Sequence, residues 1–123
     1  MVVARKHKKN LSLEVDRLRV HNFLKEYFEF ESPTQEIDFL LRHQRILLLL
    51  PFCAEFIRAS FDEDLRLRLR LLNEGKSWQT LFIQFDAHCD WEKYKSFTDS
   101  FYDHIIAEFL VESKKLNIDL NPL

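Results

Sequence analysis

Strict alternation of apolar and polar residues over positions 65–71 constrains the fold more than any other feature of this sequence. Leucines alternate there with Arg66, Arg68 and Arg70. A period of two residues is typical of a half-buried β-strand, because successive side chains point to opposite faces. The three arginines are therefore expected on one sheet face. The opposite face is expected to enter a core through Leu65, Leu67, Leu69 and Leu71.

A second apolar run covers positions 78–85 and follows a short polar segment. That segment contains Gly75, the only glycine in the chain. Glycine adopts positive φ without steric cost, so it suits a connection between antiparallel strands. The two runs together predict a β-hairpin.

The remaining sequence predicts helices and one further strand. Apolar spacing indicates helices over 13–31, 33–42, 45–61 and 91–114. Pro51 predicts either a kink in the third helix or the start of a new one. Ser32 and Gln35 are expected to form a capping box at the start of the second helix. Residues 116–121 alternate again and predict a third strand.

These elements define an α+β fold. N-terminal helices precede an α-β-β-α-β order, and helices pack on one face of a three-stranded sheet. A right-handed crossover would return the third strand parallel to the second, so that it pairs either beside the second or antiparallel to the first. We expect the strand order third–first–second, with residues 1–10 as a basic flexible tail and residues 11–123 as a single domain.

The hydrophobic spacing over about residues 37–121 resembles that of small uncharacterised bacterial proteins of a cyanobacterial type. The resemblance implies the α+β fold, and it implies no activity and no functional residues. The chain departs from the group at Pro51 and at positions 101–104. The matching positions are Phe39, Leu40, His43, Ile46 to Leu50, Ile57, Phe61, Leu65, Leu67, Leu81 to Ile83, Phe97, Phe101 and Lys115 to Ile118.

Composition and charge exclude several classes of function. The sequence contains no Gly-rich phosphate loop, dinucleotide fingerprint or Ser/His/Asp order, so we expect no cofactor and no enzymatic activity. The first ten residues carry +4, which leaves −6 for the rest of a chain whose total is −2. We therefore expect no nucleic-acid partner for the body. The basic segment is open to two interpretations, a nucleic-acid arm and a solvated terminus.

The thiols and the apolar segments indicate a cytoplasmic protein. Cys53 and Cys89 lie far apart in apolar settings, which indicates free thiols in a reducing compartment. The apolar run at 46–54 is too short to span a bilayer, so no membrane partner is expected.

The arginine face is the main candidate site. Phe82 and Gln84 are expected beside Arg66, Arg68 and Arg70, because their neighbours on the same strand are needed inside. Arginine together with an aromatic residue is typical of contact surfaces. We predict an interaction surface for a protein, either a second copy in a homodimer or an acidic partner. The alternative is a solvated face with ion pairs such as one between an arginine and Asp119.

A metal-dependent enzyme is the alternative function. Asp86, His88 and Asp90 have the spacing of one strand face and the side chains that divalent transition metals accept. The competing interpretation is a solvated loop in which Asp90 caps the following helix.

Overall fold

The computed structural model describes residues 2–73, 78–107 and 115–123, with side chains there except for residues 2–12 and 106. It is a mixed α+β structure, as predicted. The elements in chain order are α1 (Val2–Leu24), β1 (Glu29–Phe30), α2 (Pro33–Arg42), α3 (Gln44–Phe61), β2 (Arg68–Asn73), β3 (Gln79–Ala87), α4 (Trp91–Phe101), a π-helical segment (Tyr102–Ala107) and β4 (Leu116–Pro122).

The sheet has the order β1-β2-β3-β4. Strands β2 and β3 are antiparallel, which confirms the pairing of the hairpin, and the predicted turn at Gly75 lies outside the described residues. Strand β4 runs parallel to β3, as the crossover argument predicted. Strand β1 runs parallel to β2.

The prediction of three strands was wrong, because β1 is a fourth. The sequence placed Glu29 and Phe30 at the end of a helix over 13–31, but α1 ends at Leu24. The backbone amide of Glu29 instead donates to the carbonyl of Leu67 (2.8 Å), and that of Glu31 donates to Leu69 (3.1 Å). A strand of two residues is too short to show alternation, so its period could not be read.

The predicted strand order third–first–second was also wrong. Strand β4 lies beside β3 and not beside β2. The physical reason is that β1 already occupies the edge of β2 where the third strand was expected. The structure thus gives the sheet two edge strands, β1 and β4.

Helix α3 runs continuously from Gln44 to Phe61 with Pro51 inside it. Pro51 therefore does not begin a separate helix. Cys53 and Ile57 face the core as predicted, whereas Phe52 is 57% exposed. The long helix expected over 91–114 consists of α4 followed by a π-helical segment, and residues 108–114 lie outside the described part of the chain.

One core joins the helices to a single face of the sheet. Leu69, Ile83 and Leu116 supply the sheet side, and all of them are fully buried. The helical side consists of Leu24, Phe39, Leu40, Leu50, Ile57, Phe97 and Phe101. The alternating leucines behave largely as predicted, since Leu65, Leu67 and Leu69 are buried and Leu71 is half-buried.

The start of helix α2 is capped by a different side chain from the one predicted. Ser32 makes no side-chain capping bond, and its backbone amide donates instead to Oε1 of Glu36 (2.6 Å). Glu36 thus takes the role predicted for Gln35, one residue further along the helix. Its other oxygen, Oε2, is buried without a hydrogen-bond partner among the described residues. Desolvation raises the pKa of this carboxyl group.

The basic segment at residues 1–10 overlaps α1, whose first residue is Val2. Among the side chains of this helix that the structure describes, from Leu13 onwards, the buried ones are Val20 and Leu24. The flexibility predicted for the segment stays a prediction. Within the described residues, none of the helices has both the length and the apolarity required to cross a membrane.

Candidate interaction surface

The outer sheet face is the surface that carries Arg66, Arg68, Arg70, Phe82 and Gln84. Strand alternation directs these side chains away from the core, and all three arginines are exposed. The antiparallel register places Arg68 opposite Gln84 and Arg70 opposite Phe82. The structure thus brings the five predicted residues onto one continuous surface.

Two of the three arginines are paired within the chain. Arg66 contacts Glu29 through Nε (3.0 Å) and Nη2 (2.7 Å), and this carboxylate raises the pKa of the guanidinium. Arg70 Nε lies 3.4 Å from Oε2 of Glu31. Exposed ion pairs of this kind stabilise a fold only slightly, by about 0–1 kcal/mol. Their main effect is to neutralise the two ends of the arginine row.

The acidic partners differ from the one proposed on the sequence. The alternative interpretation gave Asp119 as an example of a carboxylate paired with an arginine, but its Oδ2 accepts a hydrogen bond from Nε2 of Gln84 (3.0 Å). The carboxylates that pair with the arginines come from β1 and the residue after it. These partners could not be predicted, because the sequence did not reveal strand β1.

Arg68 is the central arginine and differs from its neighbours. The register places its Cα between those of Glu29 on β1 and Gln84 on β3. None of the residues that the structure describes forms an ion pair or hydrogen bond with its guanidinium. A shallow depression of about 300 Å³ adjoins it. The depression is lined by Glu29, Arg66, Arg68, Gln84, Phe85 and Asp86.

Phe82 gives the outer sheet face an apolar region. Its side chain is half-buried and lies in register between Arg70 and Asn117. Leu72, also half-buried, extends this region along β2, opposite Thr80. The outer sheet face therefore has an apolar end and a charged end. Arg68, the central arginine of the charged end, has no counter-ion in the described chain.

The three metal candidates do not form a cluster. Asp86 Oδ1 accepts a hydrogen bond from Nδ2 of Asn121 (3.1 Å). Asp90 Oδ1 accepts one from the backbone amide of Lys93 (2.8 Å) and so caps α4, as the competing interpretation held. His88 Nδ1 lies 3.5 Å from Oε1 of Glu63. Across residues 2–73, 78–107 and 115–123, no group of three or more His, Cys, Asp or Glu is placed to hold a metal ion.

Neither thiol has the environment of a catalytic cysteine. Burial raises the pKa of Cys53 to about 12. Burial also raises the pKa of Cys89, and the carboxylates of Asp90 and Glu63 act in the same direction. A nucleophilic cysteine needs the opposite shift, because the thiolate is the reactive form.

Sequence reasoning missed a second exposed feature, at the start of α4. Trp91 begins the helix predicted over 91–114 and lies beside its apolar stripe, but its side chain is 73% exposed. The indole stacks on the ring of Tyr94, with centroids 5.7 Å apart and planes at 10°. The clue available in the sequence was the position of Trp91 directly after a capping Asp, which places it at the helix end and not within the packed length.

No protein-family model matches this chain, and neither a curated protein nor a solved structure shows significant similarity to it. The candidate site is therefore defined by its geometry and charges.

Proposed function

We propose that this chain is a non-enzymatic interaction module whose outer sheet face binds another protein. The observation that carries the proposal is the contrast among the arginines. Arg66 and Arg70 each have a carboxylate partner, whereas Arg68 between them has none in the described chain. Two free cysteines support a cytoplasmic location, since a reducing compartment keeps thiols unpaired.

The composition of the surface supports a protein partner. Arginine and aromatic residues are enriched in the cores of protein interfaces, and Arg68 lies diagonally across the hairpin from Phe82. A partner that covers Phe82 and Leu72 would also remove water from around the guanidinium. In such surroundings a carboxylate from the partner binds arginine through two parallel hydrogen bonds.

An acidic partner chain fits this surface better than a second copy. The carboxylates on the outer sheet face are already engaged, because Asp119 accepts from Gln84 and Asp86 accepts from Asn121. Glu29 and Glu31 are held by the two flanking arginines. In a second copy these carboxylates would meet Arg68 already partly neutralised by contacts within their own chain, whereas those of an acidic segment of another protein would not.

Photo-crosslinking in cells tests the proposal. A photo-reactive amino acid at Leu72, beside Phe82 on the outer sheet face, is expected to capture a defined protein. An Arg68→Glu substitution should abolish this product because it replaces the unpaired cation. The matched control is Arg66→Glu, which makes the same change of charge two residues away at a position already paired with Glu29. It should reduce the product far less.

Sedimentation distinguishes the two kinds of partner. A wild-type dimer that dissociates in an Arg68→Glu/Phe82→Ser variant, with an unchanged circular dichroism spectrum, would identify the second copy as the partner. A wild type that stays monomeric at all concentrations and gives no crosslinked product at Leu72 would refute the proposed function.

A further inference from the structure

A pocket of about 500 Å³ lies beside the carboxyl ends of β3 and β4 and the first turn of α4. It is lined by Cys89, Asp90, Trp91, Tyr94, Leu120 and Pro122. Strands β3 and β4 are parallel, so their carboxyl ends meet there beside the first turn of α4. Clefts outside the carboxyl ends of parallel strands are common ligand sites, and this volume is in the range of such sites.

The pocket presents an aromatic wall to solvent. Among the described residues, Trp91 is the most exposed large apolar side chain, at 73%. Its ring lies nearly parallel to that of Tyr94, with centroids 5.7 Å apart and planes at 10°, and most of the indole surface remains open to solvent. The face of an indole carries negative electrostatic potential and attracts cations.

The charged groups around the pocket also favour a cation. Asp90 belongs to its lining, and Oδ1 of that carboxylate is used by the helix cap while Oδ2 has no partner among the described residues. Glu63 acts electrostatically on the same thiol, Cys89, as Asp90 does. Lys93 acts on this thiol in the opposite direction, more weakly than the two carboxylates, and its Nζ lies over the ring of Phe61, 5.4 Å from the centroid. The pocket is therefore acidic as well as aromatic.

We propose that this pocket binds an arginine side chain of a basic peptide. The planar guanidinium stacks on the open face of Trp91 and donates to Oδ2 of Asp90. Leu120 and Pro122 form the wall against which the aliphatic part of the arginine side chain packs. Arginine suits the site better than lysine because it can stack on an aromatic ring and pair with a carboxylate at the same time.

Titration with a short arginine peptide, followed by NMR, tests the proposal. The probe is an acetylated and amidated Gly-Arg-Gly peptide, and the indole N–H signals of Trp91 and Trp78 report on it. The only other tryptophan is Trp78, so a Trp78→Phe variant assigns the two signals. Saturable shifts of the Trp91 signal are expected, without shifts of the Trp78 signal.

Two matched comparisons separate the contributions to binding. The same peptide with citrulline in place of arginine keeps the planar shape and loses the charge, and it should not bind. Asp90→Asn keeps the helix cap, because asparagine caps as well as aspartate, and it should weaken binding about two- to fivefold through the lost ion pair. Trp91→Leu removes the indole signal, so the backbone amide signal of Tyr94 is followed instead. Its saturable shift in the wild type should be absent in this variant, while the fold, monitored by circular dichroism, stays intact.

Two results would contradict the proposal. Equal binding of the citrulline peptide would show that the pocket does not recognise charge and would overturn the proposal. A linear, unsaturable drift of both indole signals would mean that the peptide has no site here. Neither result depends on the outer sheet face, which lies on the solvent side of the sheet.

Discussion

The two faces of the β2–β3 hairpin are made from alternate residues of the same strands, and they differ in what covers them. On the inner face Leu69 and Ile83 are fully buried beneath helices. The outer sheet face carries the preceding residue of each strand. Arg68 is exposed there, and Phe82 is half-buried. The inner face therefore stabilises the fold through burial, and the outer sheet face remains accessible.

The largest expected effect tests the inner face. Leu69→Ala should lower the free energy of unfolding by about 2–5 kcal/mol, through lost burial and a residual cavity. Arg68→Ala is the control from the outer sheet face and should change it by about 0.5 kcal/mol or less, as for surface positions generally. Urea unfolding of dilute protein measures both. A similar loss in the two variants would mean that the outer sheet face is covered within the chain and is not an open surface.

The inner face could be predicted from the sequence because it follows a simple period. Alternation over 65–71 requires that the leucines and the arginines leave opposite sides of the strand, whatever covers the leucines. The helical stripe containing Phe97 and Phe101 is predictable for the same reason, and both residues are buried. Periodicity reports which side of an element is apolar.

The partners of the outer sheet face could not be predicted, because they depend on a contact distant in sequence. Arg66 and Glu29 are separated by 37 positions and meet only through β1. No glycine or proline between Leu24 and Ser32 marks the end of α1, and apolar spacing continues through Phe28. The sequence therefore could not show which arginines have carboxylate partners. Among the described residues, Arg66 and Arg70 have one and Arg68 does not.

Glu36 is an exception to the apolar inner side, and its titration provides the second prediction. Of the described residues it is the one charged side chain that is fully buried, at 1% exposure. Desolvation raises its pKa in the folded protein, so folding favours the protonated form. The stabilisation is complete below the ordinary pKa of 4.5 and is lost as pH rises through the higher folded-state pKa.

Comparison with Glu36→Gln isolates this effect. The amide can still accept the hydrogen bond from Ser32, but it does not titrate in this range. Relative to the variant, the wild type should gain stability as pH falls from 7 towards 4.5, with a slope of at most about 1.4 kcal/mol per pH unit for one proton. Parallel stability curves for the two proteins, from denaturant unfolding at several pH values, would contradict a raised pKa.

The smallest expected effect concerns the far end of α1. The described contacts of this helix begin at Arg17, whose Nε lies 2.8 Å from Oδ1 of Asp38, and continue at Val20 and Leu24. Leu13, Val15 and Leu18, which lie nearer to the basic segment, are exposed. Removal of residues 1–9 should therefore change the free energy of unfolding by about 0.5 kcal/mol or less.

Thermal or urea unfolding of the shortened chain beside the full chain measures this difference. A loss of several kcal/mol would show that the basic segment docks on the acidic body and belongs to the folded unit. Nucleic-acid binding is tested in the same pair of proteins. If Arg5, Lys6, Lys8 and Lys9 contact phosphates, the full chain should bind with an affinity that falls steeply with salt, because bound counterions are released. The shortened chain should then lose this binding while its stability is unchanged.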